Sequence, residues 1–158
     1  MLKKYLIVFL ISMVPLIELR GAIPYAVGFS LPTVPSYIVA VIGNMLPVPF
    51  IFFFARKVLE WGKDQKIIGG FCRWCLEKGE KGKQKLTSKS GRGVYIALLL
   101  FVGIPLPGTG AWTGTLAASF LNLDFKKSVF YVMCGVILAG VIMLIASFGV
   151  FGAIRMFN

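Results

Sequence analysis

The sequence predicts an all-α integral membrane protein made of two pseudo-symmetric repeats. Hydrophobic residues make up 58% of its 158 residues and charged residues only 15%, whereas about a quarter of the residues in a soluble domain are charged. Most of the charges lie in one block, residues 56–92. Two long uncharged stretches alternate with two short apolar stretches, each of which runs into a Pro/Gly-rich break. This order predicts two repeats, residues 1–55 and 93–158, joined by a basic loop.

Two short apolar stretches, residues 5–17 and 94–104, end in these breaks. Such short apolar runs are more often re-entrant or interfacial than membrane-spanning. We therefore predict two re-entrant helical hairpins, residues 5–29 and 94–121, in which the chain enters the membrane and returns to the same side. Paired interrupted segments indicate the binding site of a transporter. The alternative is that each segment continues through its break, which gives a bundle of four full spans.

The first break carries the charged candidates for a transport site, Glu18 and Arg20. Ionisable groups inside a bilayer are costly and are functional by default. Glu18 is a candidate proton carrier, whereas Arg20 suits an anion, because a guanidinium binds phosphate or carboxylate through two hydrogen bonds. Gly21 and Pro24 complete the candidate site residues of this break. The alternative is that Glu18 and Arg20 pair with each other and only stabilise the turn.

Two long uncharged stretches, residues 36–55 and 128–154, are predicted to be transmembrane helices. The prolines at positions 47 and 49 are expected to kink the first helix, because proline removes an amide donor and clashes with the preceding turn. Asn44 is a polar amide inside this span, so we expect it to need partners, either in helix packing or in the site. Asp124 is expected to cap the second helix.

The block at residues 56–92 contains eleven Lys and Arg residues against four acidic residues, a net charge of +7. Basic segments between membrane spans are expected on the cytoplasmic side, where they also contact anionic lipids. This distribution explains the basic composition without a nucleic-acid partner. An apolar stripe over residues 67–76 predicts a helix at the membrane surface. Cys72 and Cys75 are interpreted as ordinary reduced thiols, with a dithiol redox role as the alternative.

The second break cannot be continuous helix, because it is rich in proline, which removes amide donors, and in glycine, which allows positive φ angles. The helix that restarts near Ala111 is expected to point free amide groups at a cavity, which is a natural anion site. A Gly/Ala/Thr surface for close helix packing is the alternative. The candidate site residues of this break are Pro105, Pro107, Gly108, Thr109, Gly110 and Trp112.

The two halves look like repeats of one unit. An offset of 89 residues places Ile7 on Ile96 and Gly21 on Gly110. The shared order of short apolar run, break and long span supports this alignment. Re-entrant segments make the two repeats inverted, whereas four full spans make them parallel.

Residues 18–24 and 101–114 resemble the small multidrug export protein family, which is considered a relative of the DedA superfamily of membrane proteins. The resemblance implies two re-entrant segments that face each other. It also implies lipid transport, lipid scrambling or proton-dependent drug tolerance as the activity. The arginines that DedA proteins place in the second re-entrant segment correspond to Ile104 and Gly110 here, so Arg20 on the opposite half would have to replace them.

Together these features predict a small transporter of the prokaryotic cytoplasmic membrane, coupled to protons through Glu18. The expected partners are membrane lipids and a substrate that is a lipid-linked phosphate or another amphipathic compound, with a homodimer as a further expectation. The alternatives are a lipid scramblase without proton coupling and a structural membrane subunit. Because the sequence has no histidine, and no nucleophile–base pair or metal-ligand set at membrane depth, we expect neither an enzyme nor a cofactor.

Overall fold

The computed structural model describes residues 2–64, 69–70, 73–74, 77, 81 and 93–157, with side chains described up to residue 152. Regular structure in these ranges is helical throughout, which confirms the predicted all-α class. The predicted surface helix over residues 67–76 lies mostly outside the described residues, as do Cys72 and Cys75. The helices are α1 (Leu2–Met13), α2 (Glu18–Gly28), α3 (Thr33–Met45), α4 (Pro47–Gly62), α5 (Gly93–Gly103), α6 (Ala111–Phe120) and α7 (Phe125–Phe157).

Two helical stretches in the described part of the chain are long and apolar enough to cross a membrane. The first is Thr33–Gly62, which comprises α3 and α4, and the second is Phe125–Gly152 within α7. α3 and α4 separate at Leu46, where the two following prolines remove amide donors from the helix. At the start of α7 the Asp124 carboxylate accepts a hydrogen bond from the Lys127 amide, 3.0 Å from Oδ1 to N, which confirms the predicted cap.

α1 and α2 pack against each other in antiparallel directions. Lys4, near the start of α1, lies over the ring of Phe29 at the end of α2, with Nζ 5.2 Å from the ring centroid. Ile11, near the end of α1, lies beside Gly21 near the start of α2. The chain therefore reverses at the first break, and the alternative of one continuous helix over residues 5–29 is wrong.

α5 and α6 form a second antiparallel pair. The Tyr95 hydroxyl near the start of α5 accepts a hydrogen bond from the Asp124 amide, just past the end of α6, at 3.2 Å. A Cβ built on Gly114 of α6 would lie 2.5 Å from Val102 Cγ2 near the end of α5. The second break is therefore also a reversal of the chain, and residues 94–121 do not form one continuous helix.

The two breaks reverse the chain with different backbone chemistry. The first uses Leu16 and Glu18 at positive φ, 72° and 50°, and the second uses Gly108 and Gly110, at 82° and 143°. Glycine adopts such angles without the steric cost that side chains bring. Four residues connect α1 to α2, whereas seven connect α5 to α6. The second break is thus three residues longer.

Beyond the breaks, the two halves match at an offset of 92 residues rather than the predicted 89. α2 and α6 end with the same hydrogen bonds: the Leu31 amide donates to the Ala26 carbonyl at 2.9 Å, and the Leu123 amide donates to the Ala118 carbonyl at 3.0 Å. The residue before each leucine has a positive φ, 53° and 51°, which completes a Schellman motif at both helix ends. The predicted offset is wrong here because the longer second break shifts every later residue.

The same offset aligns the buried positions of the long helices. Two glycines at matching positions bring these helices close to α1 and α5. A Cβ on Gly43 would lie 2.7 Å from the Phe9 carbonyl oxygen, and one on Gly135 would lie 2.8 Å from the Leu99 carbonyl oxygen. Small residues of this kind allow close helix packing in membranes. The matching buried positions are Leu31, Ser36, Ala40, Gly43, Asn44, Pro47 and Val48 in the first half, and Leu123, Ser128, Val132, Gly135, Val136, Ala139 and Gly140 in the second.

The two long helical stretches run antiparallel. The Tyr37 hydroxyl of α3 donates to the Ile137 carbonyl of α7 at 2.8 Å, and the Phe52 ring of α4 lies 5.3 Å from the Phe125 ring at the start of α7. The second helix of each short pair crosses to the other half, since α2 packs against α7 and α6 packs against α4. This exchange brings the two breaks together.

Candidate functional site

The Glu18 carboxylate is the centre of the contact between the two breaks. Its Oε2 accepts a hydrogen bond from the Ala111 amide at 3.1 Å, and its Oε1 accepts one from the Trp112 amide at 3.0 Å. These are the first two amides of α6, which have no partner within their own helix. The Glu18 side chain is only 5% exposed. A negative charge is thus held at the positive end of a helix from the other half of the chain.

Gly110 is required for this contact to form. A Cβ at this position would lie 2.7 Å from the Glu18 Cδ atom and 2.8 Å from Oε1, which is closer than real Cβ contacts. Its φ of 143° also lies in a region that side chains disfavour. The sequence indicated this glycine as part of a flexible break, and the structure adds that it makes room for the carboxylate.

Arg20 joins the two breaks a second time. Its Nη1 donates to the Leu106 carbonyl, and its Nη2 donates to the Thr109 hydroxyl at 2.6 Å. The same hydroxyl lies 2.8 Å from the Ile104 carbonyl oxygen and 3.3 Å from the Leu106 amide. Thr109 therefore organises the backbone of the second break around the guanidinium. The Leu106 carbonyl could not be predicted, because a backbone acceptor leaves no signal in the sequence.

Glu18 and Arg20 do not pair with each other. Among the described residues, no ion pair within 4.0 Å joins them, and each side chain instead binds the opposite break. The alternative in which the two charges only stabilise their own turn is therefore wrong. The two residues stabilise the contact between the halves.

The start of α6 differs from the sequence-based expectation of a free anion site. Its first two amides are occupied by the chain's own carboxylate, Glu18. Two hydroxyls beside it also have partners: Thr113 Oγ1 lies 3.4 Å from the carbonyl oxygen of Gly110, the residue before α6, and Thr115 donates to the Ala111 carbonyl at 2.5 Å. The amides that were expected to face a cavity are therefore occupied by a carboxylate of the same chain.

The remaining predicted residues make no hydrogen bond to the Glu18 or Arg20 side chain in the described part of the chain. Gly21 and Pro24 lie within α2. The Asn44 side chain is 1% exposed, and its Oδ1 has no hydrogen-bond partner among the described residues. Three residues shape the second break: Pro105 is half-buried, whereas Pro107 and Gly108 are exposed.

An apolar groove that the sequence did not predict runs between α4 and α6. Its volume is about 310 Å³, and Trp112 lines the groove. The Trp112 indole nitrogen is buried and has no hydrogen-bond partner among the described residues. The other lining residues are ordinary for a membrane span, so no sequence signal marks them: Ile51, Phe54, Ala55, Val58, Leu59, Leu116 and Phe120. The groove places an apolar cavity directly beside the Glu18 contact.

Comparison with known proteins identifies the family. A family model described as "Putative small multi-drug export protein" matches residues 18–142, a range that starts at Glu18 and includes the whole second break. No curated protein and no solved structure matches the chain. Because the family match covers far more than half of the chain, the protein belongs to this family of small multidrug export proteins, whose name denotes a membrane transporter.

Proposed function

We propose that this membrane protein transports an amphipathic compound with an anionic headgroup, such as a lipid-linked phosphate, in a proton-coupled reaction. The observation that carries the proposal is the position of the Glu18 carboxylate on the Ala111 and Trp112 amides. A helix N-terminus is a ready anion site, and here a residue that can take up a proton occupies it.

Proton coupling follows from competition for these two amides. When Glu18 takes up a proton, it loses the negative charge that the α6 N-terminus stabilises. The Ala111 and Trp112 amides are then free for a phosphate, and Arg20 lies on the same contact with its guanidinium half-buried. The proton and the anion are thus bound at the same time, when Glu18 is protonated. A pH gradient therefore drives both across the membrane in the same direction.

The proposal includes a re-entrant, inverted arrangement of the two repeats. Arg56 in α4 donates to the Asn122 side chain after α6. This contact supports a position of the α5–α6 pair on the side of the membrane where the first long helix ends. Lys4 lies over Phe29, shortly before the start of the same long helix. This contact supports a position of the α1–α2 pair on the opposite side of the membrane. Both breaks then meet inside the membrane, where irregular backbone needs protein or water around it.

A lipid scramblase is the second candidate, and the groove between α4 and α6 favours it. The groove is lined by apolar side chains and lies beside the polar contact at Trp112. This arrangement suits lipid movement, because the acyl chain can stay in the apolar groove while the headgroup moves past the polar groups of the contact. A scramblase needs no group that exchanges protons, so Glu18 would then act only in packing.

The experiment is a transport assay in proteoliposomes with two probes, a fluorescent polyprenyl phosphate and a cationic dye, under pH gradients of both polarities. We expect gradient-dependent movement of the phosphate probe, lost in Glu18→Gln and reduced at least tenfold in Arg20→Ala. Glu60→Gln is the matched control, because Glu60 is exposed and, among the described residues, forms a hydrogen bond with Arg56 alone.

The outcomes separate the candidate functions. Phosphate movement that ignores the gradient and survives Glu18→Gln would favour the scramblase. Movement of the cationic dye alone would refute an anionic substrate. If folded Glu18→Gln and Arg20→Ala proteins both transport normally, the contact between the breaks serves packing alone.

A further inference from the structure

A second cavity lies beside the middle of α4 and shares no lining residue with the Trp112 groove. Its volume is about 390 Å³, and it opens beside the turn that precedes α7. Aromatic rings form one wall, where the Phe125 ring lies 5.3 Å from Phe52 and 4.6 Å from Phe53. Polar groups form the other wall, with Arg56 and Asn122 in contact. One side of the cavity is therefore apolar, and the other carries the Arg56 guanidinium together with Asn122 and Asp124.

Two hydrogen bonds hold the Arg56 guanidinium in place and occupy only part of its N–H donors. Its Nε donates to the Glu60 carboxylate at 3.0 Å, and its Nη1 donates to Asn122 Oδ1. A guanidinium carries five N–H donors in a fixed planar fork, and the other three donors of Arg56 have no hydrogen-bond partner among the described residues. The two anchored contacts fix the orientation of the fork at low further entropy cost.

The surroundings of this cavity are positive overall. Lys57 follows Arg56 in α4, and Lys126 and Lys127 lie in the first turn of α7, against the acidic residues Glu60 and Asp124. Lys127 Nζ lies 5.9 Å from the centroid of the Tyr95 ring, and Tyr95 lines the cavity. An anion that enters the cavity therefore meets an excess of positive charge.

The matching cavity in the other half lacks this cation. It lies between the end of α2 and α7, has a volume of about 480 Å³ and is lined by Ser30 and Phe148. At the offset of 92 residues, Ser30 corresponds to Asn122 and Phe148 corresponds to Arg56. The repeat thus supplies two related cavities, of which the one at Arg56 carries a guanidinium.

From this combination we infer that the Arg56 cavity binds the phosphate group of an anionic membrane lipid. The free N–H groups of Arg56 match phosphate oxygens, and the exposed Phe53 ring and Phe125 give the acyl chains an apolar surface next to the headgroup. This combination favours a lipid over free inorganic phosphate. The inference does not depend on the proposed transport reaction, because it concerns binding at a separate cavity.

The test is native mass spectrometry of the detergent-solubilised full chain with dioleoyl phosphatidic acid, and with dioleoyl phosphatidylcholine for comparison. We expect the unaltered protein to bind phosphatidic acid preferentially and Arg56→Gln to lower its bound fraction at least fivefold. Lys57→Gln is the matched control, because it removes the neighbouring positive charge without removing a lining residue, and it should change binding less than twofold.

Two further arms make the result decisive. Arg56→Lys keeps the charge but loses the planar fork, so it should retain only part of the preference; it also serves if Arg56→Gln fails to fold. Millimolar inorganic phosphate should not displace the lipid. Equal losses in Arg56→Gln and Lys57→Gln would show non-specific attraction, and full displacement by phosphate would show an ion site; either result overturns the inference.

Discussion

At the residue scale, two side chains of the first break determine how the halves meet. Glu18 adopts a φ of 50°, which costs a non-glycine residue about 1–2 kcal/mol. Its two hydrogen bonds to α6 offset this cost, since charge-assisted hydrogen bonds are the stronger kind. Arg20 binds the second break through a backbone carbonyl and Thr109. Small changes at these residues should therefore affect the whole molecule.

Gly110→Ala is expected to weaken the contact strongly. The added Cβ would meet the Glu18 carboxylate and would sit at an unfavourable φ, so we expect the free energy of unfolding to fall by about 2–4 kcal/mol. Gly108→Ala is the control, because its φ is also positive but a Cβ there meets open space. Thermal unfolding in detergent measures both variants. Equal destabilisation would mean that backbone angle alone matters.

Thr109→Val should free Arg20 from its side-chain partner. The variant keeps the shape of threonine but leaves Arg20 Nη2 and the Leu106 amide without this acceptor, which costs about 1–3 kcal/mol. Thr113→Val is the matched control, because Thr113 makes one long hydrogen bond within its own helix. The prediction fails if the two variants have the same midpoint of thermal unfolding.

At the element scale, each long helix packs closely against the first helix of the short pair in its own half. Gly43 brings α3 against α1, and Gly135 brings α7 against α5. In lipid, such close packing replaces the hydrophobic effect as the main source of helix association. The two glycines at the same register therefore have the same task in both halves.

Gly43→Ala and Gly135→Ala should both destabilise the protein, by about 1–3 kcal/mol each. The reason is that the added methyl group meets backbone carbonyls of α1 or α5, which cannot move aside without shifting the helix. Gly149→Ala, also in α7, meets nothing within 4 Å and should be neutral or slightly stabilising. Unfolding in detergent measures all three. A neutral Gly135→Ala would contradict the shared role of the two glycines.

At the scale of the whole molecule, the paired helices and the antiparallel long helices are the basis of the re-entrant membrane topology that we propose. Residues 122–127 lie at the same end of the molecule as Arg56, because Asn122 accepts a hydrogen bond from it. Lys4 lies at the opposite end, over Phe29. The proposed re-entrant arrangement would therefore place Lys4 and Lys126 on opposite sides of the membrane.

This topology predicts opposite labelling of two cysteine variants. In a background with Cys72, Cys75 and Cys134 changed to serine, a membrane-impermeant maleimide added outside intact cells should label Lys4→Cys but not Lys126→Cys. Four full spans with the basic loop in the cytoplasm predict the reverse pattern. Labelling after cell lysis is the control that both cysteines are reactive.

The sequence alone determined the class of the protein, because apolar stretches of fixed length and a confined block of charge follow from membrane thickness and topology. It also marked the first break as a candidate site, because Glu18 and Arg20 are costly in lipid. It could not determine the register of the repeat, since the longer second break changes the offset between the two halves. The tertiary structure decided that Glu18 caps α6 and that Arg20 binds the Leu106 carbonyl. Both contacts span more than 80 residues and end on backbone groups, which every residue carries.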